Sequence, residues 1–194
     1  ISDMAADCES EGYPVEIRAA LIGSCTNSSY EDIYRAADIA KQATANNTKM
    51  SSRLFISPGS EQVYATIKRD GLLDALEAVD STVLTNACGP CIGQWQRDDI
   101  ELGVPNSIIT SFNRNFRARN DANPDTLGFI SSPEMVMCLG LAGRLDFNPL
   151  TDSLINADGK AWKLEAPAIA PDIPENGFEI KRDGYQAPSA GTDG

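Results

Sequence analysis

The sequence predicts an α/β fold, a three-layer domain on a mostly parallel sheet, with an extended C-terminal linker behind it. Two observations carry the fold class. Short runs rich in Val, Ile, Leu and Phe alternate with longer stretches of helical period. Each boundary carries turn or capping residues of the right kind, as strand–helix–strand units require. A third observation carries the linker. Beyond about Phe147 the periodicity fades, and residues 148–194 hold five of the eleven prolines.

The elements follow in order. Residues 1–14 form a polar lead-in. "VEIRAALIGS", residues 15–24, is a strand ending in the turn-rich "SCTNSS". Ser29 then caps a helix, with Asp32 as its capping-box partner. Ile33, Ala36, Ala37, Ala40 and Ala43 recur on one helical face. "RLFIS" is a short strand, "PGS" a turn, and "EQVYATIKRDG" a helix stopped at Gly71. "LLDALEAV" is a further helix and "TVLTN" a strand. "NSIITSF" and "LGFIS" are strands as well. Ser132 and Pro133 open the helix "PEMVMCLGLAGRL" as an N-cap and a first-turn proline. The predicted organisation is thus a lead-in (1–14), one α/β domain (15–147) and a proline-rich extension (148–194) toward a further domain.

With 194 residues, 42% hydrophobic and 23% charged, the chain is long enough to bury roughly 70% of its unfolded surface. Its net charge of −12 argues against nucleic acid or anionic membrane as a partner, because both need a basic footprint. There is no His, so neither a Ser-His-Asp nor a Cys-His arrangement can be assembled from this chain alone. No run approaches a membrane span, and "ISDMAADCES" has no basic or apolar leader character. The missing initiator Met suggests processing or excision from something longer. Five cysteines without a secretory signal point to a reducing compartment.

"NACGPCIGQW" places Cys88 and Cys91 two residues apart, and three readings compete for them. A dithiol that cycles with a disulfide has the Cys-Gly-Pro-Cys spacing in its favour. Against it, "TNA" precedes the motif and Gly93 weakens a helix start behind it. A zinc site would need four ligands, commonly two paired motifs, and only one CxxC is present. The third reading is two unreactive thiols in a tight turn. Cys25 in "LIGSCTNSS" shifts the balance, since it too lies just past a strand. Three thiols on two loops at one sheet edge can hold three corners of an iron–sulfur cube, leaving one iron open as a Lewis acid. Asn27 and Asn86 can then donate hydrogen bonds to cluster sulfurs. Cys138 lies in apolar "MVMCLGL" and reads as core, and Cys8 in the lead-in as incidental.

A third polar loop, "FNRNFRAR", follows the strand "NSIITSF" and gathers three arginines. The guanidinium fork suits carboxylates, although charge runs usually face water. In a parallel sheet the loops behind the strands share one edge, where open α/β folds bind ligands.

Assembled, "LIGSCTNSSYED", "PGSEQVYATIKRDGLL", "NACGPCIGQW", "SFNRNF" and "ARNDANP" resemble blocks of the aconitase family, over roughly residues 15–166. The resemblance implies the cluster-bearing α/β domain of a four-domain enzyme that interconverts citrate and isocitrate through cis-aconitate. It implies a 4Fe–4S cluster on Cys25, Cys88 and Cys91, substrate carboxylates bound by Arg114 and Arg119, and Asn113 beside the cluster. It also implies a tricarboxylate substrate, the remaining domains of the same enzyme as partners, a proton-transferring base on one of them, and a mitochondrial matrix or bacterial cytoplasmic setting. Arg117 stands where a small or hydroxyl residue is expected and Leu127 where His is common, so neither inherits a role. Homoaconitase and isopropylmalate isomerase share the fold and cluster and stand as alternatives.

Overall fold

The structure is a computed structural model that describes residues 3–84, 89–112 and 116–180. Its elements are α1 (Met4–Glu11), β1 (Ile17–Ile22), α2 (Tyr30–Ala45), β2 (Arg53–Ile56), α3 (Glu61–Arg69), α4 (Leu72–Glu77), β3 (Ser81–Val83), β4 (Asn106–Thr110), β5 (Thr126–Ile130) and α5 (Pro133–Ala142). A short hairpin of β6 (Leu154–Ile155) and β7 (Ala161–Trp162) follows. The first five strands form one sheet of order β3-β2-β1-β4-β5, every pairing parallel, so the α/β class is as the sequence predicts.

Local signals explain most boundaries. Ser29 and Asp32 form the expected reciprocal capping box at α2, which satisfies two otherwise orphaned amides. Gly71, at φ 70°, ends α3 and opens α4. Ser132 holds the N-cap position of α5 but makes no side-chain capping bond there. A side chain at Gly140 would bring its Cβ within 2.5 Å of Met50 Cε and 3.0 Å of Ala20, so glycine lets α5 settle onto β1.

The layers are unequal. On one face, Ile33, Ile39, Ile67, Leu76 and Met137 pack with Ala20, Ile22, Leu54 and Ile56 in a large apolar core to which all five helices contribute. The opposite face carries Ala19, Leu21 and Ile108 under Cys91 and Phe112, with Phe55 and Trp95 at the margin. That third layer is an irregular segment rather than helices.

One expectation meets a different arrangement. The polar lead-in is the helix α1, and its Cys8 is buried in the helical core, so it is a packing residue and not incidental. Burial, with Asp146 and Asp7 nearby, raises its thiol's pKa. The extension, as far as residue 180, is hydrogen-bonded along the domain. Trp162 Nε1 donates to Thr48 Oγ1 (2.9 Å), Glu165 N to Gln42 Oε1 (2.9 Å), Ala168 N to Asp38 Oδ2 (3.2 Å) and Glu179 N to Thr66 Oγ1 (3.0 Å). Only tertiary neighbours supply these partners, which local periodicity cannot register. Among the described residues, no helix is long and apolar enough to cross a membrane.

Candidate functional site at the sheet edge

From β1 the chain steps outward to β2 and β3, then returns to β4 and β5 on the other side of β1. The gap between the carboxyl ends of β1 and β4 is therefore the topological switch point, where parallel sheets open a crevice. The loop holding Cys25 starts at the end of β1, and the segment holding Arg119 at the end of β4.

The Cys25 loop is held by polar contacts. Gly23 N donates to Ser111 Oγ (3.0 Å), and the proton of that hydroxyl lies within reach of the carbonyls of Gly23 (2.8 Å) and Asn27 (3.0 Å). In return Asn27 Nδ2 donates to the Ser111 carbonyl, and Ser28 Oγ to that of Ser24. A Cβ at Gly23 would lie 3.0 Å from Phe112 Cε1 and 3.1 Å from Ser57 Cβ, so three strand ends meet there because the residue is glycine. Cys25 itself is exposed, with its Sγ 3.7 Å from Thr26 Oγ1. Hydrogen bonds from Thr26 and then Ser24 hold its thiol below the ordinary value, favouring the thiolate that binds metals.

Cys91 lies in a single 3₁₀ turn, Pro90–Ile92, closed by Gln94 N donating to Gly89 O (2.9 Å). Its thiol is buried against β1, β4 and Phe112. Asn120 Nδ2 donates to the Pro90 carbonyl (3.1 Å), and a Cβ at Gly93 would stand 2.9 Å from the Arg119 carbonyl. The residues around Arg119 are thus fitted directly to the cysteine turn. Just beyond it, Arg97 is almost fully buried. It bonds to Asp99 (2.9 Å through Nε), Asn106 (2.6 Å) and Asp121 (3.2 Å), lies 5.2 Å from the Trp95 ring, and so locks both segments. An open cavity of about 670 Å³ lies over this segment, between Trp95, Arg97 and Asn123. Every described polar atom of Arg97 there is committed to the protein.

The three arginines divide. Arg117 is exposed and bonds to the Pro124 carbonyl (3.0 Å), with Asp125 at 3.9 Å, so it belongs to the surface. Arg119 has a buried Nε with no hydrogen-bond partner among the described residues. Buried donors are normally satisfied, so this one calls for an acceptor outside the described residues. Cys88, Asn86, Asn113 and Arg114 lie outside the described residues. Leu127 is a β5 residue paired with Ser107, a structural position. Cys138 is buried in the helical core, and burial pushes its thiol up to about 12, the property of an inert packing residue.

Among the described residues no three His, Cys, Asp or Glu side chains gather as metal ligands would. Two thiols on two loops, Cys25 exposed and Cys91 buried, are nevertheless donors of the kind an iron–sulfur group takes. Sequence reasoning missed Ser111, Asn120 and Arg97. The signal for the first was a polar residue closing an apolar strand run, and for the second an amide directly after the arginine loop.

Fold and site together define a parallel α/β domain with cysteine-bearing loops at its switch point. Residues 3–143 match the aconitase family (aconitate hydratase), and the chain belongs to that family. It is 54% identical over 189 residues to "Aconitate hydratase, mitochondrial" of Gracilaria gracilis, and 53% over 188 to that of Emericella nidulans. It is 52% identical over 189 residues to "Probable aconitate hydratase, mitochondrial" of Caenorhabditis elegans. In each case 97% of this chain is covered, and it spans 24% of the relative's length. The likeness reaches beyond residues 15–166 at both ends and takes in the lead-in helix.

Proposed function

We propose that this chain is the cluster-bearing part of an aconitate hydratase, a lyase that interconverts citrate and isocitrate through cis-aconitate by removing and returning water. The observation that carries the reading is the fitting of the Cys25 and Cys91 loops to the residues on either side of the arginine loop, in a chain half identical to enzymes of that name. Cys25, Cys88 and Cys91 would hold a 4Fe–4S cluster. When bound, the cluster supplies a Lewis-acidic iron, free of protein thiolate, to the substrate's hydroxyl.

The chain's own residues bind and orient. Arg119, whose Nε has no partner among the described residues, takes a substrate carboxylate in a two-bond fork, with Arg114 as the second cation. Charge that builds on that carboxylate as the neighbouring C–H is broken is stabilised by the same guanidinium. Asn27, Asn86 and Asn113 are the candidate hydrogen-bond donors around the cluster. The described Asn27 amide is turned to the Ser111 carbonyl, so its first contribution is to loop shape.

As the family resemblance implies, the base that moves the proton comes from the remaining domains of the same enzyme. Those domains and the tricarboxylate are its partners, and neither nucleic acid nor a membrane is. The relatives' names read "mitochondrial", which supports a mitochondrial setting, the matrix, over the bacterial cytoplasm. In the complete enzyme, Cys88→Ser should abolish both cluster assembly and citrate–isocitrate interconversion. A variant retaining a full complement of iron would contradict the ligand assignment.

A further inference from the structure

We infer that Ser111 and Asn120 are positioning residues that together fix the relative placement of the two thiol loops. Ser111 is fully buried at the end of β4 and Asn120 nearly so. They flank the arginine loop, and each spends its side chain on the main chain of a different cysteine loop. Ser111 satisfies the Gly23 amide and reaches the carbonyls of Gly23 and Asn27, bracketing Cys25. Asn120 holds the Pro90 carbonyl, one residue before Cys91.

Both grips have fixed footings. Ser111 N donates to Leu21 O (2.9 Å), which ties it to the sheet. Asn120 is followed by Asp121, which accepts from Arg97 (3.2 Å) and from Thr126 Oγ1 (2.7 Å). A loop without regular structure keeps its shape only where its main-chain groups have partners. These two side chains supply partners that no strand or helix offers at those positions. A cluster spanning the two loops needs its thiolates at set separations, so the grips set how readily it assembles. That consequence, though not the grips themselves, rests on the proposed cluster ligands.

Amide hydrogen exchange on the metal-free full chain, paired with iron and acid-labile sulfide after anaerobic reconstitution, tests this. Ser111→Ala should speed exchange in residues 23–28 at least tenfold, leaving 89–94 and the helices unchanged. Asn120→Asp, the same size but without the donor, should do the reverse. Each should lower iron per chain more than twofold, and Ser111→Thr, which keeps the hydroxyl, should restore it. Unchanged exchange in both loops would overturn the inference, as would a uniform rise across β1 and α5 or loosened loops with undiminished iron. Should Ser111→Ala fail to fold, Asn120→Asp decides alone. Failure of the unaltered chain to take up iron would count against the cluster ligands only, because the exchange pattern is read without metal.

Discussion

On one face of the sheet, Ile33, Ile67, Leu76 and Met137 bury against strand residues, and every helix adds to that contact. On the other, Cys91 and Phe112 cover a handful of strand side chains, and order comes from Ser111, Asn120, Asn27 and the Arg97 ion pairs. The first face is held by non-directional apolar burial, worth roughly 1.5–3 kcal/mol for each large side chain. The second is held by directional bonds, each worth about 1 kcal/mol net but specific in geometry. Stability thus resides mainly with the helices and placement mainly with the loops. The face that carries the exposed Cys25 loop is ordered by directional bonds rather than sealed with hydrocarbon.

The largest expected effect separates the two faces. Ile33→Ala should lose about 2–5 kcal/mol of unfolding free energy by opening a cavity under α2. Denaturant titration checks that loss, and under native conditions iron uptake should stay as in the unaltered chain. A parallel fall in loading at low denaturant would show that the faces are not separable. A smaller effect comes from the site side. Arg119→Lys keeps the charge but loses the fork, so kcat/KM of the complete enzyme for citrate should fall about tenfold with iron content unchanged. Unaltered kinetics would remove Arg119 from the substrate's contacts.

The smallest effect is a pH dependence. Arg97, hydrogen-bonded to Asp99, holds that carboxyl below its ordinary value against the opposing effect of burial. A carboxyl depressed in the folded state stabilises it above the unfolded value of about 3.9. The contribution is lost as pH falls through the lower folded value. Asp99→Asn should therefore flatten the acid side of the stability profile by about 1 kcal/mol, while changing its slope above roughly pH 5 very little. An unchanged acid limb would mean that Arg97 orders the loop without help from this charge.

How much of this was legible in the sequence follows from the same contrast. The helical face rests on periodicity and caps, which are local, so the strands, the Ser29–Asp32 box and the Gly71 stop could be read off directly. The cysteine and arginine loops were legible as turn-rich stretches behind apolar runs. The strand order brings Ser111 beside Gly23 across 88 residues and Asn120 beside Pro90 across 30, and nothing local records either meeting. Cys8 was misjudged for a related reason. Acidic neighbours made its segment look like a solvated lead-in, while tertiary packing buries one face of a short helix. The extension beyond Phe147 lacks periodicity because main-chain bonds to Gln42, Asp38 and Thr66 hold it, not an apolar stripe.

The central claim is that the thiols at the switch point hold an iron–sulfur cluster. Its most direct test is iron, zinc and acid-labile sulfide per chain after anaerobic reconstitution, on the unaltered chain and on Cys25→Ser. Iron and sulfide close to four each per chain, lost on replacing Cys25 and unaccompanied by zinc, is the predicted result. A chain that takes up no iron and instead shows a reversible Cys88–Cys91 disulfide would contradict it, and would return that motif to the reading of a dithiol.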